Sequence, residues 1–106
     1  MTRRIPLLVA ALALGAVAYA LAARPTDRTE LGVVIAVDAR SLADVRGFTL
    51  RTDDARSLVF RIDALENGAE FPPGHLIEHQ ATSKRVRVWY RADGGELVAF
   101  RIEDAP

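Results

Sequence analysis

Five short runs of alternating apolar and polar residues, divided three and two by one helix-like stretch, restrict this chain to very few folds. The divider is Pro72–Ser83, PPGHLIEHQATS, whose Pro72-Pro73 suits a first helical turn, where a missing N–H does no harm. Before it, Leu31–Asp38 carries Val33, Ile35 and Val37 on one face and Val34 and Ala36 on the other. In a second strand Phe48, Leu50 and Thr52 alternate with Thr49, Arg51 and Asp53. A third points Leu58, Phe60 and Ile62 inward, and the short turn Asp53–Arg56 makes these two an antiparallel hairpin. After the divider, Val86, Val88 and Tyr90 alternate with Arg85, Arg87, Trp89 and Arg91. Ala92–Gly95 is a turn signal. The last strand is expected to hold Val98, Phe100 and Ile102 inside, with Leu97, Ala99 and Arg101 outside. Gly32 marks a bulge or bend in the first strand. Ala39–Arg46 reads as a polar connection and Ala64–Phe71 as a loop.

The first 23 residues are of another kind. Arg3 and Arg4 precede Ile5–Ala23, an uncharged run long enough to cross a bilayer as a helix. Basic residues ahead of such a run favour an inside N-terminus and an outside C-terminal domain. Ala20-Leu21-Ala22 is similar to the small-residue site at which a secretory signal is cut, yet the apolar run exceeds the usual signal core. An uncut anchor and a cleaved signal both remain open, and both export the C-terminal domain. Residues 24–30, RPTDRTE, then read as a linker and residues 31–106 as one folded domain.

Composition narrows the class further. With no cysteine in 106 residues, neither a disulfide framework nor a thiolate metal site is possible. The formal charge is zero, and without Arg3 and Arg4 the chain carries twelve basic against fourteen acidic side chains. That balance disfavours nucleic acid as a partner.

Three strands, a helix and two strands form the order of an OB-fold, a five-stranded Greek-key barrel. The chain resembles that fold over Leu31–Asp104. A basic start, one apolar helix and an exported barrel make it similar to small bacterial envelope OB-fold proteins. These include the periplasmic OB-fold stress proteins and the anchored haem chaperones of cytochrome c maturation. The second likeness implies architecture only. Those chaperones attach haem through a histidine close to a tyrosine in a tail beyond the last strand, and here only Asp104, Ala105 and Pro106 lie beyond it. No cofactor is expected.

His75, Glu78 and His79 form H-x-x-E-H, which resembles the short signature of inverted-zincin metallopeptidases. Two imidazoles one helical turn apart can share a zinc ion, and a carboxylate beside them can polarise a bound water. A helical wheel places both histidines on the wet side, opposite Leu76, Ile77 and Ala81. A catalytic zinc also needs a third ligand, and nothing here supplies one. Trp89 has outward phase between Arg87 and Arg91. With Val34, Ala36, Leu97 and Ala99 on neighbouring strands it is expected to form an exposed apolar patch for an envelope protein partner or a second copy. Arg51, Arg61, Arg85, Arg87 and Arg91 raise single-strand binding, but the strand 2–3 face carries no outward aromatic for stacking. Asp53, Asp54, Asp63 and Glu66 read as turn residues bonding their own backbone rather than as a calcium site. No Ser–His–Asp set or phosphate-cradling loop can be assembled, so the expectation is a non-enzymatic interaction module. The alternative is a metal- or cofactor-binding protein using His75 and His79.

Overall fold

The computed structural model describes residues 28–106. Strands β1 (Arg28–Ser41), β2 (Asp44–Thr52) and β3 (Ser57–Ile62) precede helix α1 (His75–Thr82), and β4 (Arg85–Asp93) and β5 (Glu96–Asp104) come after it. The strands close into a barrel in the order β1-β2-β3-β5-β4, with β3 and β5 parallel and every other pair antiparallel. An OB-fold-like arrangement is compatible with this order and connectivity. The apolar run Ile5–Ala23 and residues 24–27 lie outside the described residues. Among the described residues no helix is long and apolar enough to cross a membrane.

Closure depends on β1 serving two neighbours. Its first half pairs with β4 and its second with β2, the two ladders overlapping at Gly32 and Val33. At Gly32 a Cβ would overlap the Arg51 carbonyl, so only glycine lets the strands approach this closely. β1 begins at Arg28 rather than Leu31, because Arg28, Thr29 and Glu30 are already in register with Tyr90, Trp89 and Val88. These residues are polar and read as linker, yet one side of the ladder is enough to hold them. Likewise β1 and β2 run on through most of the polar stretch Ala39–Arg46, leaving only Leu42-Ala43 as the turn. That ribbon is solvated along much of its length, so no alternation marks it.

The core holds Val34, Phe48, Leu50, Phe60, Ile62, Phe71, Leu76, Val86, Val88, Tyr90, Ala99 and Ile102. Phe48 stacks on Phe60 at 5.2 Å, and Tyr90 meets Phe60 edge-on at 5.0 Å. The inward phases read for β2, β3 and β4 therefore hold. Those for β1 and β5 need correction. A register shift between Val34 and Ala36 makes Ile35 an extra residue, so Val34 and Val37 both face the core while Ile35 is 45% exposed. On β5, Trp89 pairs with Arg101 but Tyr90 pairs with Ala99, which leaves Phe100 as the extra residue. Val98 and Ile102 are buried as expected, but Ala99 lies in the core as well with Leu97 packed against it, and Phe100 turns toward Arg91. One inserted residue reverses every later side chain in a strand.

Two devices close the ends. Asp93-Gly94-Gly95-Glu96 is a two-residue hairpin in which both glycines have positive φ, 56° and 85°, as a twist-matched tight turn requires. Where β3 ends, the free edge of β5 is taken over by the loop before α1. The Glu66 amide donates to the Phe100 carbonyl at 2.8 Å, and the buried Asn67 side chain bonds both backbone groups of Ile102.

Candidate functional site

Helix α1 starts after a tight turn in which the His75, Leu76 and Ile77 amides each donate to a carbonyl three residues back. It ends at Ser83, whose N–H donates to the His79 carbonyl and whose φ of 55° is left-handed. Its buried residues are Leu76 and His79, so the wet-side placement of His79 is overturned. Ala81, expected on the dry side, is exposed. The His79 ring lies 5.3 Å from Phe71 and is 6% exposed. Its Nδ1 sits 2.7 Å from the His75 carbonyl and its Nε2 2.6 Å from Asp104 Oδ1. The His75 carbonyl can only accept, so the His79 Nδ1–H is the donor in that bond, while Nε2 faces the Asp104 carboxyl. Lys84 reaches the other Asp104 oxygen at 3.1 Å. The His79 hydrogen bond and then the Lys84 hydrogen bond hold the Asp104 carboxyl below its ordinary pKa.

This geometry makes His79 a clamp between α1 and the end of β5. The His75 ring packs edge-on against Phe71 at 5.7 Å, and Glu78 is exposed. To ligate a metal, His79 would have to give up one of its two short hydrogen bonds. Among the described residues no group of three or more metal-binding side chains converges. The signal for the clamp was a carboxylate 25 residues downstream of His79, a separation that local spacing does not reveal.

The patch expected around Trp89 does not assemble. Val34 and Ala99 are 1% and 0% exposed, Leu97 packs against the core, and only Ala36 is on the surface. In register, the neighbours of Trp89 are Thr29 and Arg101. The Trp89 ring is half-buried, with the Arg87 guanidinium 5.9 Å and the Arg101 guanidinium 5.6 Å from its centroid.

The exposed apolar surface lies instead on the outside of β1, β2 and β3. Register sets Ala36, Thr49 and Val59 side by side, with Asp38, Gly47 and Arg61 as the next row. Beside these small side chains an open cleft of about 870 Å³ runs along the sheet, with Gly47 letting the Phe60 carbonyl approach closely. Phe48, Phe60 and Leu97 border it while their rings and side chains pack into the core, and Val59 is 69% exposed. Its rim is acidic. Arg61 is held by Asp63 at 3.2 Å, Asp93 at 3.4 Å and Glu96, and Arg46 by Asp44 at 3.9 Å, while Asp38 lines the cleft as well. Five carboxylates thus surround two guanidiniums. Val59 was legible in the sequence, since it sits between the inward Leu58 and Phe60. The cleft was not, because it needs three strands in register.

A scan against protein-family models finds no match for this sequence, and a search of curated proteins finds none either.

Proposed function

We propose that the chain is a non-enzymatic interaction module of a bacterial envelope, its OB-fold-like barrel held outside the cytoplasm by Ile5–Ala23. The barrel takes up a segment of a partner protein in the cleft on β1, β2 and β3. What carries the reading is the Ala36–Thr49–Val59 row, with Val59 69% exposed, beside the open cleft. A contiguous apolar strip with a polar border is the usual form of a protein-binding surface. The surplus of carboxylates around Arg46 and Arg61 favours a partner segment that is apolar and basic. The same surplus repels a phosphate backbone, which supports a protein rather than a nucleic acid as occupant.

A photo-crosslinking amino acid placed at Val59 in the full chain, in native membranes, tests this. It should give one discrete protein adduct, whereas the same probe at the exposed Glu70 should not. Identical adduct patterns at both positions, or none at either, would end the reading. As a fold control, Val59→Ala should change stability by less than about 0.5 kcal/mol. Phe60→Ala, one residue away, should cost about 3–5 kcal/mol.

A further inference from the structure

The opposite side of the barrel has a different chemistry. Outward on β4 stand Arg87, Trp89 and Arg91, and on β5 Phe100, Arg101 and Glu103. Arg101 is bonded to Glu66 at 3.2 Å and Glu103 at 3.0 Å. Among the described residues, neither Arg87 nor Arg91 is ion-paired; their guanidiniums lie against the Trp89 and Phe100 rings instead. Arg87 also borders a shallow pocket with Glu30, Asp53 and Asp54, but Arg56 holds the first and third and Arg85 the second, so two guanidiniums on this face are left without a carboxylate partner.

This face also lies next to where the chain enters the barrel. Arg28 and Thr29 are the register partners of Tyr90 and Trp89. Only residues 24–27 separate Arg28 from the apolar run that ends at Ala23. Four extended residues span at most about 14 Å. A barrel on so short a tether has β4 within reach of the headgroups at a high effective concentration.

We propose that the outer face of β4 docks on anionic lipid headgroups. Arg87 and Arg91 meet the phosphates, and the exposed edge of Trp89 settles at the interface, where tryptophan is favoured. The proposal rests on reading Ile5–Ala23 as an uncut membrane segment. In the strand order β1-β2-β3-β5-β4, β4 lies across the barrel from the β2–β3 side. Docking by β4 would turn the acidic cleft away from the membrane, toward partners.

Trp89 is the only tryptophan in the chain, so intrinsic fluorescence reports this face alone. The full chain is reconstituted in phosphatidylcholine vesicles with and without phosphatidylglycerol. With the anionic lipid, Trp89 emission should shift to the blue and be quenched by brominated lipid. Both effects should be lost in Arg87→Glu/Arg91→Glu and, in the wild type, at high salt. A chain that floats with both kinds of vesicle while Trp89 emission is the same in each would overturn the proposal and leave the anchor standing. A chain that floats with neither overturns the anchor reading and the docking with it. Quenching by single-stranded DNA but not by brominated lipid would assign the face to nucleic acid instead, and overturn it too.

Discussion

Asn67 stands in for a missing strand along Ile102: its Nδ2 donates to the Ile102 carbonyl at 2.7 Å, and the Ile102 amide donates to its Oδ1 at 3.3 Å. β3 ends at Ile62, paired with Ala99, and beyond that point β5 would present unpaired backbone groups inside the fold. A primary amide matches one donor and one acceptor of a strand edge with two separate atoms, whereas an ionised carboxylate can only accept.

Asn67→Ala should therefore cost about 1–3 kcal/mol in equilibrium urea unfolding, because both Ile102 groups lose their partner while buried. Asn67→Asp should not restore the loss, since a carboxylate cannot donate to the Ile102 carbonyl. Wild-type stability in Asn67→Asp would show that the ladder ends safely without this side chain.

The His79–Asp104 contact gives stability a definite dependence on pH. The Asp104 carboxyl is held below the ordinary aspartate range by the His79 hydrogen bond first and the Lys84 hydrogen bond second. A depressed carboxyl contributes stability that is fully present above its unfolded pKa and is lost as pH falls through the folded one. The stability difference between wild type and Asp104→Asn should therefore be flat above about pH 5 and shrink as pH drops below about 4. Unfolding midpoints across that range check it. A difference that grows toward low pH would contradict the sign. The effect should be small, because half of the Asp104 side chain meets solvent.

Two glycines should respond to the same substitution in different degree. Gly32→Ala drives a methyl into the Arg51 carbonyl, at the point where β1 carries both ladders, and should cost about 3 kcal/mol or more. Gly95→Ala meets nothing within 4 Å and bears only the strain of a positive φ, about 1–2 kcal/mol. Thermal melts of the two variants rank them. Equal losses would mean that β1 can move off β2 at little cost.

Zinc titration should show no dependence on the histidines. Both nitrogens of His79 are engaged and Glu78 faces solvent, so wild type and His75→Ala should give the same heats. Micromolar binding that disappears in His75→Ala would show that the clamp opens for metal.

The parts of this fold visible in the residue order are those in which period two runs uninterrupted. Phe48 and Leu50, Phe60 and Ile62, and Val86, Val88 and Tyr90 all keep their faces, because burying one side of a regular strand leaves no other register. The helix between β3 and β4 and the Gly94-Gly95 turn were legible for the same local reason. Alternation broke at Ile35 and Phe100, where one inserted residue in a single strand reversed the expected faces of Val34 and Ala99. An inserted residue carries no mark in composition, since it is defined by the partner strand it fails to pair with.

Residue order alone was enough for the succession of strands, the phase of the three regular ones and the place of the helix, because each depends on neighbours a few positions apart. Long-range packing was needed to put His79 inside, to set Trp89 among arginines and to run the open apolar strip through Val59. Asp104, Arg101 and Thr49 come to those residues from other strands. A polar ring can be buried only once its distant acceptors are in place.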